Sequence, residues 1–290
     1  MARLFYPGCA LDQSSKPYEV STLAVAQALG IDLPTLPDWS CCGATAYMGT
    51  NEVWALALAT RNLALAEAAG AQDLVTVCNG CFVVLNKANK YLATQPALAA
   101  QVRDALAAAG LSYQGTVRVR HLLDVIANDV GPERISAQMK TSLAGLKVAP
   151  YYGCQIGRPF DDFDDPERPT SLDRVLEAVE AVVVPFPLKS YCCGGMLMTT
   201  ATDVASRLTH NILECATQAG AQCIATTCPL CTVNLEGYRQ EVARAYGQAY
   251  DNLPVLAFTQ LLAIALGLPR QATGVGMALV PAEPALTAYL

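Results

Sequence analysis

Ala69-Gly-Ala-Gln-Asp-Leu-Val-Thr-Val-Cys78-Asn-Gly-Cys81 returns later in the chain as Ala219-Gly-Ala-Gln-Cys-Ile-Ala-Thr-Thr-Cys228-Pro-Leu-Cys231. Each stretch reads the same way. A glycine stops a helix, a short apolar run makes a buried strand, and a Cys-x-x-Cys turn leads into the next helix. The expected strands are Leu74 to Val77 and Cys223 to Thr227, with Cys78 and Cys228 at their carboxyl ends. The helices after them are expected over Phe82 to Leu92 and Thr232 to Tyr246.

Working outward, the repetition widens. The first half carries Tyr6-Pro-Gly-Cys9, then Cys41-Cys42-Gly43, then the Cys-x-x-Cys. The second carries Tyr151-Tyr-Gly-Cys154, then Cys192-Cys193-Gly194, then its own Cys-x-x-Cys. Gaps between the groups are 31 and 35 residues in the first copy, and 37 and 34 in the second. One Cys-x-x-Cys arises easily by chance, but the same five-cysteine order twice does not, and an internal repeat of this kind organises the whole reading.

Further elements fill in the pattern. Strands are expected at Leu4 to Tyr6, Val117 to Val119, Val148 to Tyr151 and Val182 to Val184. Helices are expected at Tyr18 to Leu29, Glu52 to Ala69, Leu122 to Ala127, Leu172 to Val179, Val204 to Ala219 and Gln260 to Leu266. Strands alternating with helices imply an α/β fold with a mostly parallel sheet in each of two pseudo-symmetric domains. The division is expected between Gly131 and Leu143, giving domains 1–140 and 141–290. In such sheets ligands bind beyond the carboxyl ends of the strands, where Cys9, Cys78, Cys154 and Cys228 all fall.

The bulk properties narrow the function. With 290 residues the chain is long enough for one large core or two smaller ones. Hydrophobic residues make up 53% and charged residues 15%, which argues against extensive disorder. A net charge of −6, with basic residues scattered singly, lacks the patch that nucleic acid requires. No apolar run reaches the roughly 20 residues that cross a bilayer. Ala2 to Gly8 lacks the layout of a secretory signal. Twelve cysteines in such a chain point to metal or redox work in the cytoplasm rather than to structural disulfides.

Cys-x-x-Cys alone fits zinc, a dithiol pair or an iron–sulfur cluster. Structural zinc takes four ligands in a closed tetrahedron, and thiol exchange needs only two sulfurs. Here each copy offers five, including a vicinal pair. Adjacent side chains do not easily chelate one ion, but they reach two irons of a larger cluster, and soft thiolates favour iron–sulfur chemistry. Gly43, and Gly194 with Gly195, let the backbone come close because they lack a Cβ.

These residues resemble the cysteine-rich CCG domain, and two copies in one chain resemble the B subunit of heterodisulfide reductase and its relatives, including a sulfur-oxidising branch. The resemblance spans nearly the whole chain, with all ten motif cysteines present. It implies two noncubane [4Fe–4S] clusters. One is held by Cys9, Cys41, Cys42, Cys78 and Cys81, the other by Cys154, Cys192, Cys193, Cys228 and Cys231. The implied activity is cleavage of a disulfide or, in reverse, oxidation of a thiol or carrier-bound sulfane sulfur. The implied partners are a C-like subunit with cubane [4Fe–4S] clusters and a flavin-bearing A-like subunit. The competing reading is a non-catalytic electron-transfer subunit in a succinate-, fumarate- or lactate-type complex.

Other residues invite roles. His121 and His210 are the only histidines, and His121 is the candidate proton donor to a departing thiolate, since histidine titrates near neutrality. Cys215 and Cys223 lie outside the repeat and are expected in the core. Asp161-Asp-Phe-Asp-Asp165 lacks the glycine and glutamate spacing of a calcium loop and reads as solvated. Lys87, Lys90 and Lys189 lie near the motifs, to attract an anion or simply as surface lysines. The apolar tail after Gly274 suits docking on a partner or packing on its own domain equally.

Overall fold

A computed structural model describes residues 2–44 and 47–290. The chain forms two compact units: Met1–Cys9 with Asp32–Leu122, and Ala10–Ile31 with Leu123–Leu290. This cut differs from a division at residue 140, because the helix Lys16–Ala28 packs with the second unit. There Tyr18 donates its hydroxyl to the Thr227 carbonyl at 3.1 Å and sets its ring edge-on to Phe258. On the same helix Ser21 shares a 2.7 Å hydrogen bond with Thr259.

The first unit is built on three parallel strands, β1 (Arg3–Phe5), β2 (Asp73–Thr76) and β3 (Arg118–His121), in the order β1-β2-β3. Beyond β1, Phe5 makes a parallel bridge to Thr35, with hydrogen bonds to Pro34 and Leu36. Every residue of β2 is buried, as befits the central strand of a sheet covered on both faces. The helix Glu52–Ala68 starts at Asn51, whose side chain accepts from the Trp54 N–H at 3.1 Å. Its chain leaves through Gly70 at φ +76°, a conformation that favours glycine. After β2 come the helices Asn79–Thr94 and Pro96–Ala108. The second of these is not among the expected elements, although Pro96 at its first position and its alanine content announce it.

The second unit repeats the plan with one strand more: β4 (Lys147–Tyr151), β5 (Val182–Val183), β6 (Cys223–Thr226) and β7 (Val255–Ala257), all parallel, in the order β5-β4-β6-β7. The helices Ser171–Glu177, Thr202–Gln218, Pro229–Gly237, Arg239–Tyr246 and Phe258–Ala265 surround it. The expected α/β architecture with two repeated, mostly parallel sheets is therefore found.

Two expected helices differ in detail, and one strand is new. The single helix over Thr232 to Tyr246 is two, broken at Tyr238. There the Arg239 side chain takes the Leu235 carbonyl at 2.9 Å and reaches the carbonyls of Tyr250 and Leu253. The helix expected from Leu122 is present, but it passes from α at Leu122–Asp124 to π over Val125–Val130. Strand β7 is an addition: three apolar residues run straight into a helix, and only the sheet distinguishes them. The tail after Gly274 packs within its own unit. Val275, Ala282 and Leu286 are buried, and Glu236 accepts from the Leu279 N–H at 3.3 Å. Gly274 lies so close to Pro17 that a Cβ there would stand 2.7 Å from its carbonyl oxygen. No helix among the described residues is long and apolar enough to cross a membrane.

Candidate functional site

In the first unit β1 ends at Phe5 and delivers Cys9, while β2 ends at Thr76 and delivers Cys78 and Cys81. The vicinal pair Cys41-Cys42 follows the Thr35 bridge. The five thiols form a string. Cys9 neighbours Cys41, Cys41 neighbours Cys42, Cys42 lies 3.3 Å from Cys81, and Cys81 neighbours Cys78. Cys9 and Cys41 are exposed, whereas the other three are buried. Cys41 is the hydrogen-bond acceptor of the string. It accepts hydrogen bonds from Cys42 and Cys9 and from the Gly43 N–H at 3.4 Å, which hold it far below the usual thiol range.

The second unit carries the same string in Cys154, Cys192, Cys193, Cys231 and Cys228. Cys193 lies 3.5 Å from Cys231, and Cys154 bonds to Cys192. Cys192 is brought down to about 6, chiefly by the hydrogen bond from Cys154. Burial opposes this, while the Gly194 N–H and the Arg158 guanidinium add to it. So each site has one low thiolate at the more open end and a buried Cys-x-x-Cys at the other.

The scaffold beneath the sulfurs is duplicated in detail. Tyr6 donates to the Ser40 carbonyl at 2.6 Å and Tyr151 to the Tyr191 carbonyl at 2.7 Å, which pins the residue ahead of each vicinal pair. Burial, then the nearby thiols, push both phenols far up, so each remains an O–H donor. Thr76 and Thr226 each accept from the N–H of the first Cys-x-x-Cys cysteine at 3.3 Å. Gly8, at φ +73°, would place a Cβ 3.0 Å from the Cys81 sulfur. Gly194, at φ +96°, would place one 3.0 Å from the Ala205 Cβ. The tyrosines and threonines are visible as repeated letters in the sequence, but their service to backbone groups emerges only in three dimensions.

The donor set can be tested against the inorganic groups it might hold. Among the described residues no three His, Cys, Asp or Glu side chains gather around one point to hold a single ion. A string of five thiols, open at one end and buried at the other, offers ligands over a span that suits several irons better than one tetrahedral zinc. The Gly43 and Gly194 N–H groups already aim at the low thiolates, as they would toward cluster-bound sulfur.

The remaining candidates fall elsewhere. His121 closes β3 opposite Thr76, fully buried, with Phe82 edge-on at 5.9 Å. His210 stacks on Tyr246 at 4.1 Å and bonds through Nδ1 to the Tyr250 hydroxyl at 2.8 Å. Cys223 is wholly buried at the start of β6, and burial pushes its thiol up to about 12, while Cys215 is half-buried on its helix. Asp164 and Asp165 turn their carboxylates onto backbone N–H groups of their own loop, including those of Ser171 and Arg168. Lys87 pairs with Glu52 at 3.1 Å and Lys189 with Asp173 at 3.1 Å, and Lys90 lies on the same helix as Lys87.

The chain matches the model of the CCG cysteine-rich domain twice, over residues 3–86 and 148–236. It is 37% identical over 272 residues to the 8-methylmenaquinol:fumarate reductase membrane anchor subunit of Wolinella succinogenes, covering 93% of this chain and 94% of that one. It is 34% identical over 282 residues to the B subunit of the ferredoxin/F(420)H(2)-dependent CoB-CoM heterodisulfide reductase of Methanosarcina acetivorans, covering 95% and 93%. Among solved structures, a crystal structure of a hypothetical protein from Helicobacter pylori matches 96% of the chain with a TM-score of 0.78 at 15% identity, a likeness of fold alone. The chain spans about half of that protein, 52% of its length.

Proposed function

This chain belongs to the family of heterodisulfide reductase B subunits, as an iron–sulfur oxidoreductase component of a larger complex, and from that premise we propose that its ten repeated cysteines hold two noncubane [4Fe–4S] clusters, one per unit, which act on sulfur. Cys9, Cys41, Cys42, Cys78 and Cys81 would hold the first, and Cys154, Cys192, Cys193, Cys228 and Cys231 the second. The reaction is disulfide cleavage or, in the opposite direction, oxidation of a thiol or carrier-bound sulfane sulfur. The partners are a C-like subunit with cubane clusters and a flavin-bearing A-like subunit, in the cytoplasm.

The observation that carries this reading is the duplicated string of five thiols on one duplicated scaffold. A bound cluster supplies single electrons and iron that takes up a sulfur ligand. The residues of the chain do the rest. Tyr6 and Tyr151 fix the vicinal pairs, Thr76 and Thr226 fix the Cys-x-x-Cys turns, and the exposed Cys9 and Cys41 leave the first site open on one side. His121 would hold a proton for the first site. Its ring packs on Phe82, the residue after Cys81.

The second reading, an electron-transfer subunit without bond chemistry, is favoured by the 37% identity to the fumarate reductase subunit. Spin-resonance spectra of the anaerobic, iron-loaded protein separate the two. A signal that changes on adding thiol, disulfide or persulfide supports sulfur chemistry, and an unchanged signal supports the relay. Zinc, or no metal, in properly matured protein would refute both.

A further inference from the structure

The two thiol strings share a scaffold but not an electrostatic setting. Aligning the two Cys-x-x-Cys motifs in the sequence sets Asn234 against Val84 and Thr209 against Ala59, while Arg158 follows the lone cysteine of the second copy where the first copy runs on as the helix Gly8–Asp12. Asn234 is 1% exposed. Its Nδ2 donates to the carbonyls of Gly195 at 2.9 Å and Cys193 at 3.2 Å, and lies 3.7 Å from the Cys193 sulfur. Two carbonyl acceptors decide which end of the amide faces the cysteine, since the amide oxygen would repel both. Thr209 adds a hydroxyl donor to the Cys193 carbonyl at 3.2 Å. Valine and alanine, at the matching places in the first repeat, carry no side-chain donor.

Arg158 adds charge. Its guanidinium donates to the Ser190 carbonyl, two residues ahead of Cys192. Its ion pair with Glu167 is long, 3.9 Å, and the Glu167 side chain is 77% exposed, so solvent screens that carboxylate.

Reducing an iron–sulfur centre by one electron deepens the negative charge on the centre and its thiolates. Nearby N–H donors and cations stabilise that added charge and raise the reduction potential. We propose that Arg158 and Asn234 make the two sites inequivalent, the second holding its centre at the higher reduction potential, so that an electron entering the chain settles there. The inference rests on reading the ten cysteines as cluster ligands. The step moves one electron and neither makes nor breaks a bond.

The test is a redox titration of the anaerobic holoprotein, with dithionite as electron donor and mediator dyes, followed by spin resonance and absorbance. Iron and acid-labile sulfide are assayed first, so a protein without clusters refutes the ligand reading before the titration begins. Two one-electron waves are expected. Asn234→Val installs the residue that the first copy carries, and Arg158→Gln removes the charge. Each should disfavour reduction in the higher wave about tenfold, which is about 59 mV for one electron, and leave the lower wave in place. Arg158→Lys keeps the charge and should keep the wild-type wave. The Arg158 side chain is 43% exposed, so Arg158→Gln tests the idea even where Asn234→Val fails to hold the loop. A shift of the lower wave, an equal shift of both, or no shift in clustered protein overturns the proposal.

Discussion

Tyr6 in the first site and Tyr151 in the second make the same hydrogen bond to the residue ahead of the vicinal cysteines. At the ends of the outer strands the likeness stops. His121 pairs with Thr76 at the end of β3, whereas Ala257 pairs with Thr226 at the end of β7. The groups that repeat are those that set backbone and sulfur positions. Those that differ (His121, Asn234 and Arg158) bring protons, donors or charge to the neighbourhood. Geometry is therefore common property of the two halves, while the electrostatic tuning belongs to each.

The strongest way to break this comparison is to remove one string and ask whether the other survives. Cys42→Ser and Cys193→Ser each delete a buried member of one string. Each should strip the iron and acid-labile sulfide of its own site and leave the other site loaded, as read by metal analysis per chain. Cys215→Ser, outside both strings, should keep the full content. Loss of both centres from a single substitution would show that the halves do not mature independently.

Next in size is the glycine behind each vicinal pair. Gly194 at φ +96° has the Ala205 Cβ 3.0 Å and its Cα 3.1 Å from where a side chain would begin, while Gly43 at φ +76° meets nothing nearer than the Ala55 carbonyl oxygen at 3.4 Å. Both alanine variants carry the left-handed strain, about 1–3 kcal/mol, and Gly194→Ala adds the clash. Denaturation midpoints of the loaded protein should fall further for Gly194→Ala than for Gly43→Ala. The tyrosines come after. Tyr6→Phe and Tyr151→Phe should each cost about 1 kcal/mol, the worth of one hydrogen bond. Each should also speed iron loss to a chelator from its own site.

Much of this is legible in the sequence, for a physical reason. Cysteine groups and short strands are local signals, so the repeat, the alternation of strand and helix, and the placing of Cys78 and Cys228 at strand ends can be read directly. The helix Lys16–Ala28 is legible too, but not its packing with the second unit, because nothing within its letters names the surface it buries. Tyr6 and Thr76 look like context around a cysteine motif. Their partners are backbone groups, which have no sequence signature. The break at Tyr238 is hidden for the same reason, since Arg239 satisfies carbonyls more than ten residues away at Tyr250 and Leu253.

The smallest effects sharpen the comparison away from the sulfurs. Burial raises the carboxyl of Glu67 in the first unit, but this is outweighed by the Thr116 hydroxyl and the backbone N–H groups of Thr116, Gln114 and Gly115, so its pKa ends below the usual range. Burial dominates at Glu236 in the second unit and raises it, against the Val255 N–H and Arg239. The signs of linkage are opposite. Glu67 contributes stability that is present above the ordinary glutamate range and lost as pH falls through its depressed folded value. Glu236 contributes stability that is present below that range and lost as pH rises through its raised folded value. Thermal melts of the loaded protein should therefore show Glu236→Gln removing a decline in stability as pH climbs from the ordinary glutamate range. At neutral pH Glu67→Gln should cost only about a few tenths of a kcal/mol, because solvent reaches the half-buried group and screens it. If Glu236→Gln leaves the pH slope untouched, the carboxyl of Glu236 titrates alike in the folded and unfolded chain, and burial does not outweigh its hydrogen bonds.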